Sequence, residues 1–272
     1  GQMIVVDTRR GRVLHNDELK AEVAGQAPYA EWLAEGRIRL DVKPSQEPVV
    51  ALPEPGAPPL RPKPDPEFVA LQRAFGYSAE DTRLIVTPMA GEGKEPTWSM
   101  GDDAPLAVLS ERARPLHAYF RQRFAQVTNP AIDSLRERKV MALDSLIGPR
   151  SNLLIEDASQ ARLLHLPSIA LQTADLDAIR ALDGDQLRVV TISTLFPLPT
   201  EDDSGQSLLA ALDRVVADAE AAVRDGAGVL ILSDVGTNAE TVALPMLMAV
   251  GTVHHALIRA GLSELAPREH PR

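Results

Sequence analysis

The sequence predicts an α/β protein: a partial parallel β/α unit towards the C-terminal end, preceded by an irregular, helix-rich segment. Three observations carry this. Leu187–Leu195 (LRVVTISTL) and Val229–Leu232 are apolar runs rich in β-branched residues, the composition of strands buried on both faces. Between them, Leu208, Leu209, Leu212, Val215, Val216, Ala219 and Val223 recur at helical spacing, and Gly226 stops the pattern. After the second run, Ala239–Ala260 reads as a further helix ended by Gly261. The order β-α-β-α requires crossover connections, and crossovers imply a parallel sheet.

The upstream elements follow in order. Met3–Asp7 is a short apolar run, Arg10-Gly11 a turn, and Arg12–Leu14 a second run, together a hairpin signal. Asp17 opens a helix to Ala24, and Pro28–Glu35 forms another that ends at Gly36. Residues 43–66 contain nine prolines (Pro44, Pro48, Pro53, Pro55, Pro58, Pro59, Pro62, Pro64 and Pro66). Proline fixes φ and removes a donor, so this stretch reads as an extended, semi-rigid linker. Asp65-Pro66 then starts a helix, with Phe68, Leu71, Gln72 and Phe75 on one face and Gly76 at its end. Ser78 and Asp81 have capping-box spacing. Thr87–Pro149 is dense in Gly, Pro, Asn, Asp, Ser and Thr and reads as mostly irregular yet ordered. Within it, Leu116, Tyr119, Phe120, Phe124 and Val127 suggest a core-facing stripe on a helix after Pro115.

Composition narrows the function classes. The chain has 272 residues, 44% hydrophobic and 24% charged, with a formal net charge of -10. It has no Lys/Arg-rich block, which disfavours nucleic acid or an anionic membrane as partner. Its longest apolar stretch, Val242–Val250, falls short of the roughly 20 residues that span a bilayer. Charges follow soon after the start, GQMIVVDTRRG, unlike a signal peptide. There is no cysteine, so these residues supply no disulfide, thiolate nucleophile or Cys-ligated cluster. A cytoplasmic setting fits that composition.

The candidate sites are few. Gly91-Glu92-Gly93-Lys94 lacks phosphate-loop spacing, and Pro96 stands where a helix should follow. Asp175 and Asp177, and Asp183 and Asp185, do not match a calcium loop and read as capping and turn residues. His254 and His255 are adjacent on a helix, about 100° apart, and cannot share a metal; one is expected to face inward. Ser233 and Asp234 follow the second strand, at the end where parallel α/β sheets place ligands, and are the best polar candidates. Met100-Gly101-Asp102-Asp103 and Thr128-Asn129-Pro130 combine turn geometry with flanking apolar runs. They read either as ordered structural turns or as an interdomain wall.

Three motifs in fixed order carry a resemblance: SMGDDAPLAVLS (99–110), FAQVTNPAIDSLRE (124–137), and Met141, Leu143 and Ile147-Gly148-Pro149. This order resembles the central part of the large chain of glutamate synthases, and the likeness runs from about residue 3 to 262. The VDT and GR of residues 6–12 resemble the end of that family's amidotransferase domain. The resemblance implies 1–42 as the tail of a glutamine amidotransferase-like domain and 43–66 as the Pro-rich linker. It makes 67–262 a truncated central-like domain and 263–272 a tail. It implies a piece of an incomplete FMN-type β/α barrel that binds no flavin. It also implies an enzyme that makes two glutamates from glutamine and 2-oxoglutarate, with ammonia passing through an internal tunnel. Met100, Thr128 and Asn129 would line that passage.

In that family the nucleophilic cysteine, the FMN and the iron–sulfur cluster belong to other parts of the enzyme. This chain alone is then expected to be inactive, to bind no cofactor or metal, and to have the remaining domains or a companion chain as partner. One departure is Val235, where the family commonly has arginine after LSD. The alternative is a freestanding α/β scaffold or a module that binds a small ligand beside Asp234.

Overall fold

The computed structural model describes residues 2–40, 65–93, 109, 114–120, 133, 136, 140–149, 155–168, 171–182, 187–200, 203 and 205–262. It is a mixed α/β structure with four small sheets among these residues. Strands β1 (Ile4–Asp7) and β2 (Arg12–His15) form the N-terminal antiparallel hairpin. Its turn is set by the Asp7 carboxylate, which accepts from the backbone N–H groups of Arg9 and Arg10, both at 2.9 Å. Helix α1 (Asn16–Ala24) follows, its start held by Glu18, which accepts from His15 N at 2.9 Å. Helix α2 (Tyr29–Gly36) leads into the two-residue strand β3 (Ile38–Arg39).

Helix α3 (Pro66–Ala74) begins as its sequence dictates, with Asp65 accepting from Glu67 N at 3.0 Å. Ser78 and Asp81 form the reciprocal capping box that opens α4 (Ala79–Asp81): Asp81 N donates to Ser78 Oγ at 3.0 Å, and Ser78 N to Asp81 Oδ2 at 2.8 Å. A π-helical turn, Thr82–Val86, continues into α5 (Thr87–Glu92). The first residues of the stretch expected to be irregular are thus helical, because Pro88 is tolerated in the first turn of a helix. The aromatic stripe also differs from expectation. Leu116–Tyr119 is a 3-10 turn, and Tyr119 and Phe120 are exposed rather than core-facing. Phe124 and Val127 lie outside the described residues.

Strands β4 (Ser145–Ile147) and β5 (Leu164–Leu166) pair antiparallel, and β3 joins β5 in parallel with Ile38 opposite Leu164. Helix α6 (Thr173–Arg180) precedes the β/α unit. Strand β6 (Val189–Ser193), helix α7 (Gln206–Arg224), strand β8 (Val229–Ser233) and helix α8 (Met246–Arg259) make up that unit. Strands β6 and β8 are parallel, in register from Val189–Val229 to Ser193–Ser233. Side chains alternate across this pair. Val190, Ile192, Leu230 and Leu232 pack towards α7 and α8, in a core with Val215, Ala219 and Ala249. Val189, Val229 and Ile231 pack towards α6 and β5, in a core with Leu164, Leu166 and Ile179. Cover on both faces explains why both strands are almost wholly apolar.

The sequence pattern needs one correction. The run 239–260 is not one helix. Thr241–Ala243 is strand β9, antiparallel to β7 (Leu195–Pro197), and α8 starts only at Met246. Pro245 lacks the N–H a helix interior needs, and Thr241 and Val242 favour extended backbone. Helix α7 ends as Gly226 demands. Gly226 has φ 89°, its N–H donates to Val223 O at 3.1 Å, and Ala227 N donates to Ala222 O at 2.9 Å. This left-handed cap satisfies two terminal carbonyls.

Candidate functional site

The C-terminal ends of β6 and β8 meet at Thr194, which is fully buried. Its N–H and its Oγ1 both donate to the Ser233 carbonyl, each at 2.9 Å, and its own carbonyl accepts from Leu244 N at 3.0 Å. Thr194 therefore joins β6, β8 and the residue just before the Pro245 cap of α8. From α7, one Arg214 nitrogen donates to the carbonyls of Ser193 and Leu195, both at 3.0 Å. That guanidinium satisfies the two carbonyls flanking Thr194.

The predicted polar pair sits at this same end. Ser233 Oγ accepts from Val235 N at 3.4 Å, and Ser193 Oγ from Leu195 N at 3.3 Å, so each hydroxyl folds back onto its own turn. Asp234 is half-buried, and its carbonyl accepts from Thr237 Oγ1 at 3.0 Å. Among the described residues no His, Asp or Glu hydrogen-bonds either serine, so no nucleophile–base pair is assembled here. The arrangement holds strands together. Val235, where the family pattern differs, is 75% exposed. Met100, Thr128 and Asn129 lie outside the described residues.

A second junction joins the N-terminal segment to residues 156–166, ahead of the β/α unit. The Tyr29 hydroxyl donates to Glu156 Oε2 at 2.5 Å, across 127 residues of sequence. This bond, with the Glu156 charge, raises the Tyr29 pKa above its usual value of 10.0. Tyr29 is oriented by Trp32, edge to face at 5.5 Å between ring centres. At the other end of α2, Gly36 abuts the 3-10 turn Ala158–Ala161, which Asp157 caps by accepting from Ser159 N at 2.8 Å. Ile38 N then donates to Leu163 O at 2.9 Å, leading into the β3–β5 pairing.

A depression of about 400 Å³ lies beside this junction, lined by Arg39, His165, Pro167, Ser168, Leu171 and Asp175. Its acidic group is already engaged, since Asp175 accepts from Gln172 N at 2.8 Å to cap α6. His165 Nε2 lies 3.5 Å from Asp144. His254 and His255 are both exposed, with rings 5.4 Å apart, so neither faces inward as expected. The helical turn they occupy presents its buried face through Val253 and Ala256 instead. Among the described residues no three His, Asp or Glu side chains converge as a metal site, and no helix is long and apolar enough to cross a membrane.

Sequence reasoning missed Thr194, Arg214, Tyr29, Glu156 and Ala161. Arg214 carried a weak signal, as a cation on the helix between the two strands. Tyr29 and Glu156 carried none, being so far apart in sequence.

A family model for the glutamate synthase central domain matches residues 70–266, and one for class-II glutamine amidotransferases matches residues 1–32. The chain is 43% identical over 267 residues to ferredoxin-dependent glutamate synthase 2 of Synechocystis sp., covering 96% of this chain and 16% of that protein. It is 42% identical over 262 residues to the NADPH glutamate synthase large chain of Azospirillum brasilense, covering 96% and 16%. Against the chloroplastic ferredoxin-dependent enzyme of Oryza sativa subsp. japonica the identity is 42% over 265 residues, covering 96% and 15%. The chain thus spans about a sixth of the length of these relatives, and on this agreement it belongs to the glutamate synthase family.

Proposed function

We propose that this chain is the non-catalytic connecting portion of a glutamate synthase, an enzyme that converts glutamine and 2-oxoglutarate into two glutamates. Its role is to join the glutaminase site to the FMN-dependent synthase site and to line the route by which ammonia passes between them. One observation carries the reading: the end of an amidotransferase match and a central-domain match stand side by side in one chain, at residues 1–32 and 70–266. The described sites agree with it. Thr194, Ser233, Arg214, Tyr29 and Glu156 are all engaged in holding elements together. The absence of cysteine means that neither the amidotransferase nucleophile nor cluster ligands come from these residues.

On this reading the FMN and the iron–sulfur cluster reside in the remaining domains or in a companion chain. The β6-α7-β8-α8 unit is a piece of an FMN-type β/α barrel that holds no flavin, and the setting is cytoplasmic. Met100, Thr128 and Asn129 line the ammonia passage; the hydroxyl and amide of the latter pair are suited to exchanging hydrogen bonds with a small neutral amine.

The test is Thr128→Val in a complete synthase carrying this segment. Glutamine hydrolysis and flavin reduction, each assayed alone, should stay within about twofold of the parent enzyme, while glutamate formed per glutamine hydrolysed should fall. Unchanged coupling removes the tunnel role. Glutamine hydrolysis by the purified 272-residue chain would remove the non-catalytic reading itself.

A further inference from the structure

We propose that Tyr29 and Glu156 form a latch that sets the angle at which the amidotransferase end leaves the central domain, making both positioning residues for coupling between the two active sites. The coupling part rests on the function proposed above; the latch part does not.

The two residues belong to different family matches. Tyr29 lies within 1–32 and Glu156 within 70–266, so their hydrogen bond crosses from one to the other. Helix α2 lies on the 158–161 turn without burying any of its own residues. The strand that bridges the parts, β3, is two residues long and contributes one short parallel ladder with β5. Ile38 and Leu40 anchor that ladder against the Leu164 core, whereas α2, with no buried residue, is the element that opens first. Gly36 against Ala161 gives a close backbone contact at the C-terminal end of α2, which acts as a pivot. Tyr29 is the first residue of α2, so its hydroxyl grips the opposite end from the pivot, where leverage over the helix direction is greatest. Trp32, edge-on to the Tyr29 ring, restricts where that hydroxyl points. Glu156 is exposed, so the latch can open and close without disturbing either core cluster.

Hydrogen exchange on the 272-residue protein tests the latch. In Tyr29→Phe, peptides covering 29–40 should exchange about three- to tenfold faster, the size expected for one net hydrogen bond, while peptides from Gln206–Arg224 stay unchanged. Glu156→Ala should match Tyr29→Phe, and the double variant should be no worse than either single one. Glu156→Gln, which keeps an acceptor oxygen, should retain most of the protection. Unchanged exchange over 29–40 in Tyr29→Phe, or additive effects of the two single variants, overturns the latch.

The same variants in a complete synthase test positioning. Glutamate formed per glutamine hydrolysed should fall at least threefold in Tyr29→Phe and Glu156→Ala and recover in Glu156→Gln, with kcat for glutamine hydrolysis unchanged. If exchange responds but the ratio does not, the bond is only a structural tie and the positioning role fails. If Thr128→Val leaves coupling intact while these variants reduce it, the tunnel role falls and the latch stands.

Discussion

A Cβ placed on Gly36 would lie 2.9 Å from both the carbonyl carbon and the Cβ of Ala161. Real side chains do not approach a backbone that closely, so helix α2 sits against the 158–161 turn only because residue 36 has no side chain. Two effects of Gly36→Ala oppose each other. Alanine favours a helix over glycine by about 1 kcal/mol, whereas overpacking a fitted contact costs about 1–3 kcal/mol. The clash is against backbone, which cannot rotate away, so the second effect should win. Urea unfolding should show Gly36→Ala less stable than the parent, with partial recovery in Gly36→Ala/Ala161→Gly. A stabilised single variant would mean the contact does not form.

Thr194 and Arg214 hold the C-terminal ends of β6 and β8, and they should respond differently to substitution. Thr194→Val keeps the buried shape and loses only the Oγ1 bond to Ser233, at a cost of about 0.5–1.5 kcal/mol. Arg214→Lys offers one flexible ammonium where the guanidinium uses two nitrogens in a fixed plane, Nη2 on both carbonyls and Nη1 on Asp218 at 3.2 Å. Denaturant midpoints should fall for both, and Arg214→Lys should lie close to Arg214→Met. Full stability in Arg214→Lys would show that charge, not geometry, is what the carbonyls require.

Leu164 and Leu209 separate burial from hydrophobicity. Leu164 is fully buried in the core beneath β6 and β8, while Leu209 on α7 is 55% exposed. Leu164→Ala should cost about 2–5 kcal/mol, the range for core truncations, and Leu209→Ala well under 1 kcal/mol. Equal losses in thermal melts would contradict the core described.

Three carboxylates that hold turns should make those turns sensitive to acid. Asp7 has its pKa lowered first by the Arg10 N–H, Asp157 by the Ser159 hydroxyl and N–H, and Asp203 by the Ser207 hydroxyl and N–H. Each folded value lies below the usual 3.8. Their stabilisation is therefore complete above about pH 4 and is lost as pH falls through the folded values. In hydrogen exchange followed as pH falls below 3.8, the hairpin turn, the 158–161 turn and the start of α7 should loosen before the β6–β8 core. Asp157→Asn should remove the pH dependence of loosening at the 158–161 turn, because its side chain no longer titrates.

Much of this was legible locally. Asp65-Pro66, Ser78 with Asp81, and Gly226 fixed helix ends through backbone chemistry that acts within a few residues. The parallel pair was legible because strands covered on both faces must be apolar throughout. The 239–260 run misled because helical periodicity was counted across Pro245, whose missing N–H outweighs it. The junctions were not legible at all. Tyr29 meets Glu156, and Gly36 meets Ala161, through tertiary contacts between distant segments. Ser233 drew notice by position, whereas the group that organises that end is its neighbour in space, Thr194.

The most direct measurement is glutamate yield from a chimera in which residues 3–262 replace the matching segment of the Azospirillum brasilense large chain, to which this chain is 42% identical. Both ammonia-driven and glutamine-driven synthesis should be assayed on the same preparation. A connecting, non-catalytic segment predicts that both persist, with glutamine-driven synthesis within about tenfold of the parent. Loss of flavin-dependent synthesis from ammonia in a folded, FMN-loaded chimera would contradict it, because this segment would then be contributing to the chemistry itself.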